Sequence, residues 1–242
     1  MPKRLHRDNH TMRPVSFQTG FSKHAEGSVL ACTGDTKVLC TASITEGVPK
    51  FLKDSHHGWL TAEYSMLPRA THTRSDREAQ RGKQTGRTIE IQRLIGRSLR
   101  SCIDLSKVPE LTIVLDCDVI QADGGTRTTA INGCMVALIL ALQQRQYEKK
   151  LTQDPILFLI SAVSLGVVAG EIRLDLDYIE DSQADVDSNI VLNEHGHIIE
   201  IQGTAERKPL SQEQLISMLA IAQQQQAELI QAMRAACGLH AS

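Results

Sequence analysis

Aromatic residues are scarce in this chain: one tryptophan, three tyrosines and four phenylalanines among 242 residues. A surface that holds nucleic-acid bases by stacking needs more rings, so contact with a polynucleotide is expected through its phosphates. No C-x-x-C pair occurs, although there are six cysteines (Cys32, Cys40, Cys102, Cys117, Cys134, Cys237). Most lie inside apolar runs, which predicts reduced core residues of a cytoplasmic protein and neither disulfides nor a zinc site. The nine histidines form no H-E-x-x-H, and the adjacent His56 and His57 stand in a polar stretch, where solvent is the expected neighbour. The longest apolar run, PILFLISAVSLGVVAG (155–170), is too short for a bilayer span and is broken by serine and glycine. It predicts a buried strand and no membrane association. The opening MPKRLHRDNH is polar and charged, which predicts no secretory signal.

What is present describes an ordinary globular chain, 41% hydrophobic and 22% charged, long enough for one large domain or two small ones. The net charge is only −2, yet it is unevenly spread. Between Arg69 and Arg100 nine basic residues face three acids, a balance of about +6; between Glu171 and Glu206 ten acids face one arginine, about −9. A polyanion would dock on the first segment and be repelled by the second unless a divalent cation sat there.

Hairpin signals open the chain. GSVLACTG (27–34) and TKVLCTASI (36–44) flank a Gly34-Asp35 turn. A polar, arginine-rich loop follows from Pro68 to Gly86, and loops of that length are functional or disordered. Ile91, Leu94, Ile95, Ser98, Leu99 and Ile103 then fall on one helical face. LTIVLDCDVIQAD (111–123) reads as a strand and TTAINGCMVALILALQQ (128–144) as a buried helix. The plan repeats: AVSLGVVAG (162–170) and EIRLDLDYI (171–179) predict a hairpin, SNIVLNE and HIIEIQG another around His195-Gly196. A last helix is expected between the capping box Ser211-x-x-Gln214 and Gly238. These elements predict an α+β protein of two hairpin-plus-helix halves, mixed sheets against helices, divided near residue 150 (1–150 and 151–242).

Three stretches carry chemistry. In QADGGTRTTA (121–130) a strand ends in two glycines, so the backbone can approach a ligand closely, and the next helix points its free N–H groups there. The segment is neither G-x-G-x-x-G nor a Walker loop. Arg127 opposes the helix dipole at a cost of roughly 0.3–1 kcal/mol, which makes sense if an anion is shared with it. The alternative is a glycine turn with a threonine cap and a surface arginine. Arg87, in TGRTIEIQ, repeats the pattern at another helix start, and the two arginines together favour a phosphate. In LDLDYIEDSQADVDSN (174–189), Asp175 and Asp177 alternate with leucines and are expected on the solvated face of a strand. Asp181, Asp185 and Asp187 are expected in a connecting segment, either solvated or converging on magnesium beside the phosphate.

QADGGTRTT, with KHAEGSVL (23–30), GDTKVLCTASI (34–44), GWLTAEYSMLPRATHTR (58–74), GRTIEIQRLIGRSLR (86–100) and EIQGTAE (200–206), resembles the ribonuclease PH family over about residues 10–235. The resemblance implies the ribonuclease PH fold, a ring-shaped homohexamer built as a trimer of dimers, and phosphate-dependent 3′→5′ trimming of transfer-RNA precursors with magnesium. It places phosphate on Arg87, Gly125, Thr126 and Arg127, and the catalytic, metal-holding carboxylates on Asp181 and Asp187. RNA contact is expected through the loop arginines Arg69, Arg74, Arg77 and Arg81. Two departures stand out: Ser188, where the family has methionine, and Arg207-Lys208, where smaller or acidic residues are usual. Two rivals are weighed against this: a non-catalytic ring subunit that binds RNA, and a phosphate or nucleotide binder without an RNA role.

Overall fold

The computed structural model describes residue 4 and residues 7–239. Its first sheet contains β1 (Val15–Thr19), β2 (Gly27–Thr33), β3 (Thr36–Glu46), β4 (Trp59–Met66) and β5 (Leu111–Gln121), in the order β1-β2-β3-β5-β4. Its pairs are antiparallel except β4 with β5, which run parallel. The connection between those two strands carries a short helix, α1 (Glu78–Arg81), and then α2 (Gly86–Arg100). The second sheet, β6 (Ile160–Val168), β7 (Glu171–Leu174), β8 (Val186–Asn193) and β9 (Ile198–Ala205), is antiparallel throughout, in the order β7-β6-β8-β9. A long central helix, α3 (Thr126–Tyr147), links the sheets; α4 (Tyr178–Gln183) joins β7 to β8, and α5 (Gln212–Ala236) closes the chain.

The hairpin at Gly34-Asp35 forms with Thr33 paired to Thr36. Strict alternation puts Val38, Cys40, Ala42 and Ile44 of β3 and Ile113, Leu115, Cys117 and Val119 of β5 on one buried face. Helix α3 covers that face and also packs on β6, so it is apolar almost all round and buried over most of its length. Ile131, Met135 and Leu138 are fully enclosed, each burial contributing roughly 1.5–3 kcal/mol. Asn132 locks this helix to the second sheet. Its amide donates to Ala162 O (2.9 Å) and accepts from Ala162 N (2.7 Å), taking the backbone edge that β7 is too short to reach.

Five of the six cysteines are buried and all six are free. Cys40, Cys117 and Cys134 meet between β3, β5 and α3, with Cys117 and Cys134 Sγ 3.1 Å apart. Hydrogen bonds within the trio, together with burial, hold these thiols well above their ordinary range, so they pack as small neutral groups.

Several expectations are corrected by the structure. The segment Glu171–Ile179 is not one strand: β7 ends at Leu174, and Asp175 turns into the left-handed region (φ 56°). Asp175 is 2% exposed, not solvated. It accepts from Arg13 Nη2 (2.7 Å), Arg13 Nε (2.9 Å) and Arg7 Nη1 (2.6 Å), which is why a carboxylate survives there. Asp177 is the N-cap of α4, in a reciprocal capping box with Glu180. The α2 helix stops at Arg100; Ile103 is buried beyond it, bridged to Ile156. The Pro68–Gly86 stretch holds α1 and one core residue, Ala70. The apolar run from Pro155 becomes strand only at Ile160.

Candidate functional site

The QADGGTR turn sits where the two sheets meet. Gly124 and Gly125 both take positive φ (74° and 64°), and Gly125 is the N-cap of α3. A Cβ on Gly124 would lie 2.1 Å from Leu176 O, so only glycine lets the turn press against the approach to α4. Arg13 fixes the same seam: it donates to Asp123 O (2.6 Å) as well as to Asp175. Asp123 in turn accepts from Tyr178 N (3.2 Å).

Among the described residues no side chain caps the start of α3, which leaves its first N–H groups directed outward. Thr126 Oγ1 accepts from the buried Tyr64 hydroxyl (3.1 Å). Thr128 Oγ1 donates back to Gly125 O and Thr129 Oγ1 to Thr33 Oγ1, each at 3.0 Å, so these two hydroxyls serve the fold. Arg127 is no surface arginine. Its side chain is 19% exposed, one guanidinium nitrogen meets Glu90 at 3.0 Å, and its buried Nε has no hydrogen-bond partner among the described residues. Glu90 also accepts from Gln202 of β9 (3.0 Å), tying α2 to the second sheet.

A cavity of about 470 Å³ opens at this turn, lined by Arg87, Gly125, Thr126 and Arg127 together with Asp181 and Asp187. All six come together, though not from the elements expected for the acids: Asp181 is on α4 and Asp187 on β8, not in a connecting loop. Burial raises the Asp181 carboxyl, opposed by the charges of Arg87 and Arg127. Burial also pushes Asp187 up to about 6, with the charge of Asp181 adding to the rise. Two partly desolvated carboxylates, the charge of Asp181 raising Asp187, face two arginines and suit a hard divalent cation that keeps most of its waters. Asp185 stands apart from them. It is buried, pairs with Lys208 (3.1 Å), and accepts at its carbonyl from Glu206 N and Arg207 N. Arg207 caps the end of α4, donating to Gln183 O (2.8 Å) and Ser182 O (3.1 Å). Ser188 is fully buried and donates to Gln202 O (2.8 Å). Arg207 and Lys208 thus brace the segment between the two cavity carboxylates, and Ser188, the residue after Asp187, ties β8 to β9.

The loop arginines spread more widely. Arg77 and Arg81 line a neighbouring cavity of about 710 Å³, which Arg87 shares, opposite Glu63, Asp116 and Asp118. Arg74 and Arg81 are exposed and pair with Asp76 (3.2 and 3.6 Å), while Arg69 reaches His72 O (3.4 Å). None of these four lines the smaller cavity; its rim comes from Thr71, His72 and Thr73, with the His72 ring 4.9 Å from that of Tyr178. Sequence reasoning missed His72, Tyr178, Ser164 and Asn189 as cavity residues. Asn189 was findable two places after Asp187 on one strand face; Ser164 was hidden in an apolar run.

No helix among the described residues is long and apolar enough to cross a membrane. Residues 11–142 match the 3′ exoribonuclease family, domain 1, and residues 159–225 match domain 2 of the same family. Among solved structures, rice (Oryza sativa) Rrp46 is similar at 22% identity and a TM-score of 0.78, over 96% of this chain and 98% of that one. The Archaeoglobus fulgidus exosome with RNA bound to the active site is similar at 21% identity and TM-score 0.78, over 93% and 90%. An archaeal exosome core gives 20% and 0.75, over 94% and 89%. At such identities the solved structures speak for the fold alone. The two domain matches cover most of the sequence in order, and the chain belongs to the 3′ exoribonuclease family.

Proposed function

We propose that the protein is a phosphorolytic 3′→5′ exoribonuclease that trims the 3′ ends of transfer-RNA precursors and releases nucleoside 5′-diphosphates. One observation carries this reading: Arg87, the Gly125-Thr126-Arg127 turn, Asp181 and Asp187 line a single cavity. Oppositely charged sets from the two halves converge there, as attack of one anion on another requires.

Inorganic phosphate is the nucleophile. One of its oxygens attacks the phosphorus of the terminal diester, the bond to the 3′ oxygen of the preceding nucleotide breaks, and the proton carried by the phosphate ends on that 3′ oxygen. Phosphate is already anionic near neutral pH, so no strong base is needed; the barrier is electrostatic repulsion. Arg87, Arg127 and the free N–H groups of α3 hold the attacking phosphate and offset that repulsion. The Nε of Arg127, without a partner among the described residues, gives the phosphate a donor. Asp181 and Asp187 would hold magnesium, which supplies charge neutralisation at the scissile phosphate. A diester is exchanged for an anhydride, so the reaction runs in reverse when diphosphates are in excess. Arg69, Arg74, Arg77 and Arg81 form the RNA path, the first half of the chain (1–150) carrying the anion sites and the second (151–242) the carboxylates. The working assembly is a homohexamer in the cytoplasm.

Two of the similar solved structures are archaeal exosomes, one with RNA bound, and the second reading is a ring subunit that binds RNA without cleaving it. Both arginines and both aspartates stand in the cavity, and this supports the active reading over it. Product analysis decides: a short 3′-tailed RNA is incubated with magnesium, with and without phosphate. Phosphate-dependent release of nucleoside diphosphates is expected. Monophosphates released without phosphate would mean hydrolysis, and bound but intact RNA would leave the inert subunit.

A further inference from the structure

The cavity has a floor that neither the arginines nor the aspartates provide. Strands β6 and β8 pair so that Ser164 lies opposite Asn189 and Gly166 opposite Asp187. Residues two apart on a strand share a face, so Asp187 and Asn189 point the same way as Ser164 across the ladder. Both Ser164 (5% exposed) and Asn189 (6%) line the cavity. The Ser164 carbonyl is engaged, accepting from Asp175 N at 2.7 Å. Its hydroxyl is not: Ser164 Oγ is buried and has no hydrogen-bond partner among the described residues. A buried hydroxyl left unpaired is costly and uncommon, which points to a partner that arrives from outside. Ser164 Oγ lies directly below the anion-facing turn, 3.6 Å from where a Cβ on Gly125 would be.

We propose that Ser164, with Asn189 opposite it, is a phosphate-binding residue that donates from the cavity floor to the inorganic phosphate held by Gly125, Thr126 and Arg127. This rests on the phosphorolytic reading of the cavity. The chemistry suits the place. Asp187 shares the floor and repels an anion, so an oxygen of the phosphate turned downward needs a neutral donor beside it. A hydroxyl supplies that donor without the charge that would also draw in the RNA backbone. Gly166, opposite Asp187, contributes no side chain that would crowd the ladder.

The test is Ser164→Ala in the full-length protein, read by thermal unfolding with and without inorganic phosphate and by steady-state phosphorolysis. Removing an unpaired hydroxyl leaves the phosphate-free protein as stable as before, or more so. The KM for phosphate should rise about 10-fold or more, the KM for RNA should stay the same, and the thermal shift caused by phosphate should shrink. Asn189→Ala gives the same readout with a smaller effect, and it carries the test should Ser164→Ala fail to fold. A phosphate KM and phosphate-induced shift equal to wild type in whichever variant folds would overturn the assignment. If the wild-type protein itself shows no phosphate-induced shift and no phosphate-dependent cleavage, the phosphorolytic reading falls first, and that outcome is distinct from a wild type that responds and a variant that responds equally.

Discussion

Replacing Asp187 with asparagine should stabilise the metal-free protein and at the same time abolish its response to magnesium. Burial, and then the charge of Asp181, push this carboxyl from 3.8 to about 6. A carboxyl whose folded pKa exceeds its unfolded value binds its proton more tightly in the folded chain. Its favourable contribution is therefore complete below pH about 4 and is lost as the pH rises toward 6. At neutral pH the ionised group opposes folding. A rise of about two units, at ~1.4 kcal/mol each, bounds that cost at roughly 3 kcal/mol. Asparagine keeps the shape and removes the charge. In EDTA at pH 7.5 we predict that Asp187→Asn is about 1–3 kcal/mol more stable than wild type, with the gain fading toward pH 4. Magnesium should close or reverse the gap, because a hundredfold excess over Kd stabilises the binding form by ~2.7 kcal/mol. Urea unfolding followed by far-ultraviolet circular dichroism, at one protein concentration, measures all four conditions. Equal or lower stability of the variant in EDTA at pH 7.5 would refute the desolvation reasoning. An undiminished magnesium response would remove Asp187 from the metal site.

Other perturbations probe the rest of the site. Arg127→Ala should raise the KM for phosphate by about 10–100-fold, since it deletes a charged donor to an anion; an unchanged value would detach the turn from phosphate. Arg13→Ala should cost about 3 kcal/mol in urea unfolding, the low end for breaking a buried pair, because Arg7 still reaches Asp175 at 2.6 Å. In wild type, burial raises the Asp175 carboxyl but the hydrogen bonds and charge of Arg13 outweigh it and hold the pKa low. That contribution is present above the unfolded pKa and lost as the pH falls through the folded one, so the gap between the two proteins should narrow in acid; a constant gap would point to lost packing instead. The triple change Arg74→Ala, Arg77→Ala, Arg81→Ala should weaken structured transfer-RNA precursors more than short oligonucleotides and flatten the salt dependence; equal loss on both would take the loop off the RNA path.

The local features of the fold could be read from the sequence, and the non-local ones could not. The Gly34-Asp35 hairpin, the apolar face of α2 and the capping box of α5 are each decided within a few residues. β4 escaped because its partner β5 lies beyond two helices, and a parallel pairing leaves no turn signal. Asp175 misled for the same reason. Leucine and aspartate alternate there as on a half-solvated strand, but the arginines that bury it come from the far end of the chain. In the site, Arg127 was conspicuous because a cation opposes a helix start, whereas its partner Glu90 lies 37 residues away. A basic loop is visible in composition, but which of its arginines face which cavity depends on the fold, and the four named ones scatter.

The lopsided charge distribution along the chain follows from the position of the cavity. Arg87 and Arg127 come from the first half and Asp181 and Asp187 from the second, so neither half alone holds a balanced set. Kept apart, the cations would bind any anion and the carboxylates would repel one another. Brought together, each set offsets the other at the point where, in the proposed reaction, one phosphate must approach a second. The seam that unites them is short and specific: Gly124 backed against Leu176 O, and Arg13 joining Asp123 to Asp175. Asp123 immediately precedes the Gly124-Gly125 turn, and Asp175 lies just ahead of the helix that carries Asp181. The guanidinium of Arg13 therefore joins the approaches to the Gly125–Arg127 turn and to the cavity carboxylates, and in the proposed reaction this ties chemistry to docking of the two halves. A substitution at this seam should impair phosphate and metal binding together, whereas one at Arg127 or Asp187 should impair one more than the other.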